Sequence, residues 1–262
     1  MDSVGSAPLA DRVAVVTGAG RGIGRALALA LADAGATVVV SARTESDLDA
    51  VVATISTAGG RALSVVADAS RREEATRPVD AAVDAFGRID VLVNNVGGSV
   101  AGNPDPFEGD VATIEATLTL NLTSAFWVTH AALPHMRSGG YGRIISIGSG
   151  ASRRAAASWA YTAAKHGLVG FTSQLAQIAG PHGITANCIC PGWTNTSLVD
   201  FDRLGASRGT TASRARADAE GEAAQGRIIE PDELGPMAVL LASPAGGAIT
   251  GQTIGVDGGY RL

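Results

Sequence analysis

The chain has few of the residues that build disulfide-linked or metal-binding proteins. Its 262 residues include two cysteines, Cys188 and Cys190, whose spacing suits neither a disulfide framework nor a zinc pair. Residues two apart on a strand share one face, so both are expected to be small core residues. The four histidines form no HExxH-type pair, and no metal site is expected.

Clusters of basic residues and long apolar runs are also missing. The formal net charge is −5, and without a cluster of lysines and arginines we expect no nucleic-acid partner. No stretch approaches about 18 uninterrupted apolar residues, so no membrane span is expected. Residues 1–8 lack the basic segment and the apolar run of a signal peptide. The sequence therefore predicts a cytoplasmic protein.

Apolar residues and glycines are abundant instead. Apolar residues make up 46% of the chain, which is enough to bury a sizeable core and excludes wholesale disorder. The 34 glycines amount to nearly twice the ordinary share of about 7%. Without a collagen repeat, they indicate tight turns and close approaches of the backbone.

Short β-branched runs alternate with longer alanine- and leucine-rich stretches along the whole chain. Strands are predicted over residues 13–17, 37–40, 63–67, 89–93, 143–147, 184–190 and 253–256. Helices are predicted over residues 24–34, 45–58, 73–86, 111–136, 160–179 and 232–242. Most strands are near-continuous apolar runs, which is typical of strands covered on both faces. The pattern predicts a single α/β domain over residues 1–262, with a doubly wound parallel sheet of about seven strands.

Two stretches depart from this alternation. Residues 97–109 are rich in glycine and proline and are predicted to form a loop. Residues 196–227 are small and polar, and a connection of that length is usually a lid or a disordered segment. The stretch follows the strand that ends near Cys190, at the edge where parallel sheets bind ligands. We predict a substrate lid at 196–227, with a plain surface excursion as the alternative.

A glycine-rich turn joins the first predicted strand to the first helix. It reads Thr17-Gly18-Ala19-Gly20-Arg21-Gly22-Ile23-Gly24. Glycines remove Cβ atoms, so that backbone N–H groups can approach a pyrophosphate, whose charge the helix dipole favours. The strand, turn and helix together predict a dinucleotide site.

This turn resembles the TGxxxGIG motif of classical short-chain dehydrogenases/reductases. Four further matches follow in the order of that family: NNVG at 94–97, YTAAK at 161–165, PGWTNT at 191–196, and TGQ with DGG at 250–252 and 257–259. They resemble the family's NNAG, YxxxK and PGxxxT segments and its carboxyl-terminal segment, and they span nearly the whole chain. The resemblance, which extends to 3-oxoacyl-carrier-protein reductases, implies a Rossmann-type fold and a homotetramer.

Tyr161 and Lys165 are four apart on a predicted helix and therefore share one face. A tyrosine phenol ordinarily ionises near pH 10. Acid–base work near neutrality therefore needs a nearby positive charge, which a lysine and an oxidised nicotinamide ring can supply. The family's serine matches Ser149 better than Ser146, because Ser149 comes after the strand where the cleft should open. Its distance of 12 residues from Tyr161 is one fewer than the family commonly has.

The resemblance also assigns the supporting residues. Asn121 matches the asparagine that bends the family's central helix and holds a water connected to the lysine. The implied catalytic set is Asn121, Ser149, Tyr161 and Lys165. The implied cofactor-binding set is Gly18, Arg21, Gly22, Ile23, Gly24, Arg43, Asp68, Asn94, Gly97, Tyr161, Lys165, Pro191, Gly192, Thr194 and Thr196. The substrate pocket is expected at residues 98–100 and 150–159, Trp193 and the 196–227 stretch.

The end of the second strand predicts the cofactor. A preference for NAD normally relies on an acidic residue there, about 20 residues past the glycines. Ala42 occupies that position and Arg43 follows it, with Arg21 in the glycine turn as a second cation. A 2′-phosphate can pair with an arginine, so NADP(H) is predicted. The alternative is that both arginines are solvated surface charges.

These roles predict NADPH-dependent reduction of a ketone or 3-oxoacyl carbonyl to a secondary alcohol. The cofactor would supply the hydride and Tyr161 the proton, while Ser149 orients the carbonyl oxygen of a small-molecule substrate. One alternative is an NAD-dependent alcohol dehydrogenase that works oxidatively. Another is a non-catalytic NADP-binding regulator, against which the intact catalytic set argues.

Overall fold

Seven strands form one parallel sheet in the computed structural model, which describes residues 7–156 and 158–262 of the chain. Residues 1–6, which belong to the stretch expected to carry no signal peptide, and residue 157, in the expected substrate pocket, lie outside the described residues. The strands are β1 (Val13–Thr17), β2 (Thr37–Ala42), β3 (Arg61–Val66), β4 (Val91–Asn94), β5 (Gly142–Ile147), β6 (Ile184–Pro191) and β7 (Thr253–Val256). Each predicted strand is present, with ends within two residues of those predicted.

The order across the sheet is β3-β2-β1-β4-β5-β6-β7, and every adjacent pair is parallel. The direction of winding reverses between β1 and β4, which opens a crevice at the carboxyl ends of these two strands. The predicted Rossmann-type doubly wound sheet is confirmed. The crevice is where the glycine-rich turn lies.

Helices cover both faces of the sheet. They are α1 (Gly22–Asp33), α2 (Glu45–Thr57), α3 (Arg72–Phe86), α4 (Val111–Leu118), α5 (Ser124–Gly139), α6 (Trp159–Ala179), α7 (Phe201–Ser207), α8 (Ala212–Gly221) and α9 (Gly235–Ala242). None of the helices among the described residues is both long enough and apolar enough to cross a membrane.

Alternate side chains of the strands enter two separate apolar cores. On β1, Ala14 and Val16 pack with the core under α1, α2 and α9, whereas Val13 and Val15 pack with the core under α3, α5 and α6. Burial on both faces explains why the strands are near-continuous apolar runs rather than alternations of polar and apolar residues.

The predicted helix over residues 111–136 is wrong in one respect, because it is interrupted. A π-helical segment, Thr119–Thr123, separates α4 from α5. Within it, the Asn121 side chain donates to the Thr117 carbonyl, four residues earlier, at 2.9 Å. Such π segments occur frequently at functional sites.

The 196–227 segment contains two helices that the sequence pattern did not predict. Each begins at a capping side chain: Asp200 accepts from the Arg203 N–H, and Thr211 accepts from the Arg214 N–H. Helix α8 buries only the small side chains of Ala215 and Ala219, so no apolar stripe marks it in the sequence. Capping rather than hydrophobic periodicity identifies these helices.

Candidate active site

The glycine-rich turn has a backbone conformation that favours glycine. Gly18 and Gly22 have φ angles of +64° and +54°, in the left-handed region. A Cβ on Gly24 would lie 2.8 Å from the Gly18 carbonyl carbon, so the start of α1 packs directly against the turn. The turn therefore presents unobstructed backbone N–H groups, the arrangement that binds a pyrophosphate.

Asn95, which the sequence analysis left out of the site, fastens this turn to β4. Its side-chain amide donates to the carbonyls of Thr17 and Gly18, both at 3.0 Å. The Thr17 hydroxyl in turn donates to the Val93 carbonyl at 3.1 Å and accepts from the Asn95 N–H at 3.1 Å. The NNVG motif was the available signal, but the cofactor role was assigned to its first asparagine.

Asn94, that first asparagine, points the other way. Its amide nitrogen donates to the Thr129 hydroxyl on α5 at 2.9 Å, and its Oδ1 is buried without a partner. Asn94 therefore ties β4 to the helix layer, and Asn95 ties β4 to the glycine turn.

A cavity of about 290 Å³ opens at the carboxyl edge of the sheet, beside the glycine turn. Eleven predicted residues contribute to its lining: Gly18, Arg21, Gly22, Ile23, Gly24, Arg43, Asp68, Gly97, Tyr161, Lys165 and Thr196. Six lie outside the lining: Asn94, Asn121, Ser149, Pro191, Gly192 and Thr194. The structure thus brings the glycine turn, the end of β2 and the Tyr161–Lys165 pair to one cavity.

The end of the cavity near β2 contains charges of both signs. Burial raises the pKa of Asp68, but hydrogen bonds from Ser70 and the charge of Arg43 lower it by more. The pKa of this carboxyl group therefore lies below its usual value. Asp47, in the first turn of α2, also contributes to the lining. A Cβ on Gly20 would lie 3.0 Å from the Asp47 Cβ, which shows how close this side chain comes to the turn. Asp47 was not identified from the sequence, because α2 brings it back to the turn.

Lys165 and Tyr161 lie on α6, at the opposite end of the cavity from Asp47. Lys165 is the only lysine of the chain, and 2% of it is exposed. Its ammonium donates to the Ile147 carbonyl at the end of β5 at 2.8 Å, and it lies 5.7 Å from the centre of the Tyr161 ring. A Cβ on Gly97 would lie 3.0 Å from the Lys165 Nζ, so a side chain there would crowd the ammonium.

Ser149 begins the turn that follows β5. Its hydroxyl accepts from the Ala151 N–H at 3.2 Å, and its own N–H donates to the Ser152 hydroxyl at 3.1 Å. Ser146, the rejected candidate, is 1% exposed and its hydroxyl has no partner. The half-buried position of Ser149 at the carboxyl edge favours it over Ser146.

The outer part of the site is apolar and largely exposed. Leu198 approaches Gly98, with its Cδ2 3.4 Å from where a Cβ would stand. Trp159, at the start of α6, is 50% exposed and donates its indole N–H to the Pro104 carbonyl at 2.9 Å. The ring centres of Trp193, just before the 196–227 segment, and Phe201, at the start of α7, lie 6.3 Å apart. Over the described ranges 7–156 and 158–262, no three His, Cys, Asp or Glu side chains gather where they could hold a metal ion.

A doubly wound sheet, a glycine turn at its switch point and a Tyr–Lys pair at its carboxyl edge define a dinucleotide-dependent oxidoreductase. Residues 12–205 match the family model described as short chain dehydrogenase. The chain belongs to this family, as the sequence motifs indicated.

Relatives cover almost the whole chain. The short-chain reductase protein NovJ of Streptomyces niveus is 43% identical, with 95% of this chain and 94% of that protein aligned. A provisionally assigned ketoacyl reductase of the monensin polyketide synthase, from Streptomyces virginiae, is 39% identical, with 95% and 96% aligned. A crystal structure from Beutenbergia cavernae, provisionally assigned as an NAD(P)-dependent gluconate 5-dehydrogenase, has NADP bound at low occupancy. It superposes with a TM-score of 0.87 at 36% identity, over 98% of this chain and 99% of that one.

Proposed function

We propose that the protein reduces a ketone or a 3-oxoacyl carbonyl to a secondary alcohol with NADPH. The observation that carries this proposal is the pairing of Tyr161 and Lys165 on one face of α6, in the lining of the same cavity as the glycine turn. Two relatives named as reductases, NovJ and the monensin ketoacyl reductase, favour the reductive direction. When bound, the cofactor supplies the hydride.

The residues at the turn fit a dinucleotide. Gly18 and Gly22 adopt left-handed backbone conformations, and Gly22 lies beside the Thr196 side chain, 3.2 Å from where a Cβ would stand. Side chains at these positions would fill the space that a pyrophosphate needs. In this proposal the turn and the start of α1 hold the pyrophosphate, and Lys165 and Thr196 hold the nicotinamide half.

Tyr161 is the proton donor in this proposal. Its phenol gives a proton to the substrate oxygen as negative charge develops there, and the adjacent Lys165 ammonium stabilises the phenolate that remains. Lys165 is held for this task by its hydrogen bond to Ile147, which fixes the ammonium at the end of β5. The Ser149 hydroxyl donates to the same substrate oxygen and orients it.

NADP(H) is the proposed cofactor because Arg21 and Arg43 both contribute to the cavity lining and position 42 carries no acid. Arg43 can pair with a 2′-phosphate in a bidentate manner. Asp47 acts against this preference, because its carboxylate lies beside the glycine turn and would repel a 2′-phosphate. Its Oδ2 is 3.6 Å from where a Cβ on Gly20 would stand. The NADP in the Beutenbergia cavernae structure supports the choice of cofactor.

The 196–227 segment is the proposed substrate lid. Thr196, Ser197 and Leu198, at its start, contribute to the cavity lining, while α7 and α8 carry the exposed remainder. We also expect a homotetramer that assembles through the long helices, because α5 and α6 expose large apolar side chains. Phe126 is 48% exposed and Ile178 is 57% exposed. A cytoplasmic location remains a prediction.

NADPH oxidation, followed by absorbance with a panel of ketones and 3-oxoacyl thioesters, tests the proposal. We expect turnover with at least one compound, and loss of that turnover in Tyr161→Phe with cofactor binding retained. Faster oxidation of alcohols with NAD⁺ would favour the oxidative alternative. Cofactor binding without turnover in either direction would favour the non-catalytic regulator.

A further inference from the structure

The 257–261 segment, which follows β7, lies between two loops of the site. Asp257 forms a turn by accepting from the N–H groups of Gly259 at 3.0 Å and Tyr260 at 3.3 Å. Gly192, the first residue after β6, lies next to this turn. A Cβ on Gly192 would lie 3.2 Å from the Tyr260 Cβ. The segment therefore touches the loop after β6 on one side.

On its other side, the segment touches the loop after β5. The Tyr260 ring rests against Gly150, so closely that a Cβ on Gly150 would lie 2.7 Å from the ring Cδ1. Gly150 is the residue directly after Ser149, and glycine leaves this backbone with unusual conformational freedom. The ring therefore packs against the residue that directly follows the proposed carbonyl-binding serine.

Glu222, at the end of α8, holds this arrangement to the base of the 196–227 segment. Its carboxylate accepts from the Trp193 indole N–H at 2.7 Å and from the Arg261 guanidinium at 2.5 Å. Partial burial raises its pKa, but the Arg261 guanidinium and the Trp193 N–H lower it by more. The Glu222 pKa therefore lies below its usual value. The Glu222 carbonyl also accepts from the Arg261 N–H at 2.7 Å.

Backbone pairing extends the contact. The N–H groups of Ala224 and Gln225 donate to the carbonyls of Gly259 and Gly258, both at 3.0 Å. Residues 222–225, at the base of the 196–227 segment, are thus fixed to the 257–261 segment by backbone as well as by Glu222.

We infer that Tyr260 is a positioning residue: its ring, held in place by the contacts around Glu222, fixes the Gly150 backbone and so sets the orientation of the Ser149 hydroxyl. The inference rests on the proposed function for what Ser149 does, but the packing itself stands on the geometry. A misplacement of about 1 Å can cost on the order of 10²-fold in rate, so a loosened Ser149 turn has measurable consequences.

A double-mutant cycle tests whether Tyr260 acts through Ser149. We expect Tyr260→Ala to lower kcat for NADPH oxidation about tenfold, and Tyr260→Phe, which keeps the ring, to stay close to the unsubstituted protein. In a Ser149→Ala background, Tyr260→Ala should change kcat less than about twofold, because the hydroxyl that it orients is gone. The same factor in both backgrounds would overturn the inference.

Amide hydrogen exchange provides a readout that needs no turnover. Exchange in residues 148–153 should accelerate in Tyr260→Ala and remain unchanged in Tyr260→Phe. Tyr141→Ala is the matched control, because Tyr141 is also partly buried but bonds the Ala242 carbonyl, away from Gly150. Unchanged exchange in Tyr260→Ala, or equal acceleration in the control, contradicts the inference. Absence of turnover in the unsubstituted protein contradicts the proposed function instead and leaves this exchange test decisive.

Discussion

The side-chain amide of Asn121 pairs with both backbone polar groups of Gly98. Its Oδ1 accepts from the Gly98 N–H at 2.8 Å, and its Nδ2 donates to the Gly98 carbonyl at 3.0 Å. The π-helical turn aims the side chain at this backbone, and the Thr117 carbonyl takes the second amide hydrogen at 2.9 Å. Asn121 therefore holds the start of the 97–109 loop beside Lys165, although it lies outside the cavity lining.

Asn121→Ala should reduce both stability and activity. The partly buried Gly98 N–H would lose its acceptor, and an unsatisfied group of this kind costs about 1–3 kcal/mol. Asn121→Asp tests the donor separately: its carboxylate would face the Gly98 and Thr117 carbonyl oxygens at a position that is 1% exposed, so it should destabilise the fold at least as much as Asn121→Ala. Urea unfolding gives the stability, and NADPH oxidation gives the activity. If Asn121→Ala unfolds at the same urea concentration as the unsubstituted protein, the pairing with Gly98 is not a stabilising contact.

Tyr161→Phe should bind NADP(H) normally and lose most of its turnover. The ring remains and only the transferable proton is removed, so a loss of about 10²- to 10⁴-fold in kcat is expected. Cofactor fluorescence titration measures the binding, and steady-state assays measure kcat. Activity within about threefold of the unsubstituted protein would contradict the acid role.

Limited proteolysis should distinguish the 196–227 segment from the rest of the surface. Arg208 is exposed and joins α7 to α8, next to Gly209 with its φ of +65°. Trypsin is expected to cut there first, and cofactor with substrate should slow this cut if the segment closes over the site. Cleavage at the exposed Arg137, at the end of α5, serves as the internal control. Equal rates at Arg208 with and without ligands would argue against a lid.

Asp90 is a buried carboxylate at the amino end of β4, away from the candidate active site. Its removal should lower the free energy of unfolding without a direct effect on the active site. Asp90 accepts from the guanidinium of Arg12 at 3.0 Å, from that of Arg88 at 2.6 Å, and from the Val13 N–H at 2.9 Å. Removal of one partner of a buried ion pair costs about 3–5 kcal/mol. Asp90→Ala should lie at the low end of this range, because both arginines remain partly exposed.

The control for Asp90 is an exposed ion pair. Arg214 and Asp218 pair at 2.8 Å on α8 with much of both side chains in solvent, so Asp218→Asn should change stability too little to resolve. Equal midpoints of unfolding for the Asp90 and Asp218 variants would contradict the structural weight given to Asp90.

The sequence was sufficient for the sheet because its strands are apolar on both faces and helices intervene regularly. It was not sufficient for the π-helical turn at Asn121, which depends on a hydrogen bond to Gly98 in another segment. Helix α8 was missed because its buried side chains are alanines, which leave no apolar stripe. Asn95 was missed because a motif names neighbouring residues without saying which side chain faces the turn. The features missed at Asn121 and Asn95 depend on contacts between distant parts of the chain, whereas α8 lacks a local hydrophobic pattern.

Cofactor preference is the sharpest remaining prediction. The cavity lining near β2 includes Arg21 and Arg43, which favour a 2′-phosphate, and Asp47 and Asp68, which oppose it. A guanidinium attracts a phosphate in a bidentate manner, whereas a carboxylate repels it. The two arginines therefore predict a preference for NADPH, and a substitution at any of these charges should shift it.

Ala42→Asp combined with Arg43→Ala should shift the ratio of kcat/KM values towards NADH, because the added acid can accept from the ribose hydroxyls and the phosphate loses its cation. Asp47→Asn should move the ratio in the opposite direction, since it removes a charge that repels the phosphate. Both variants change charge at the same end of the cavity, away from Tyr161 and Lys165, so kcat with the preferred cofactor should change little. A higher kcat/KM with NADH than with NADPH in the unsubstituted protein would contradict the NADP(H) preference predicted from Ala42 and Arg43.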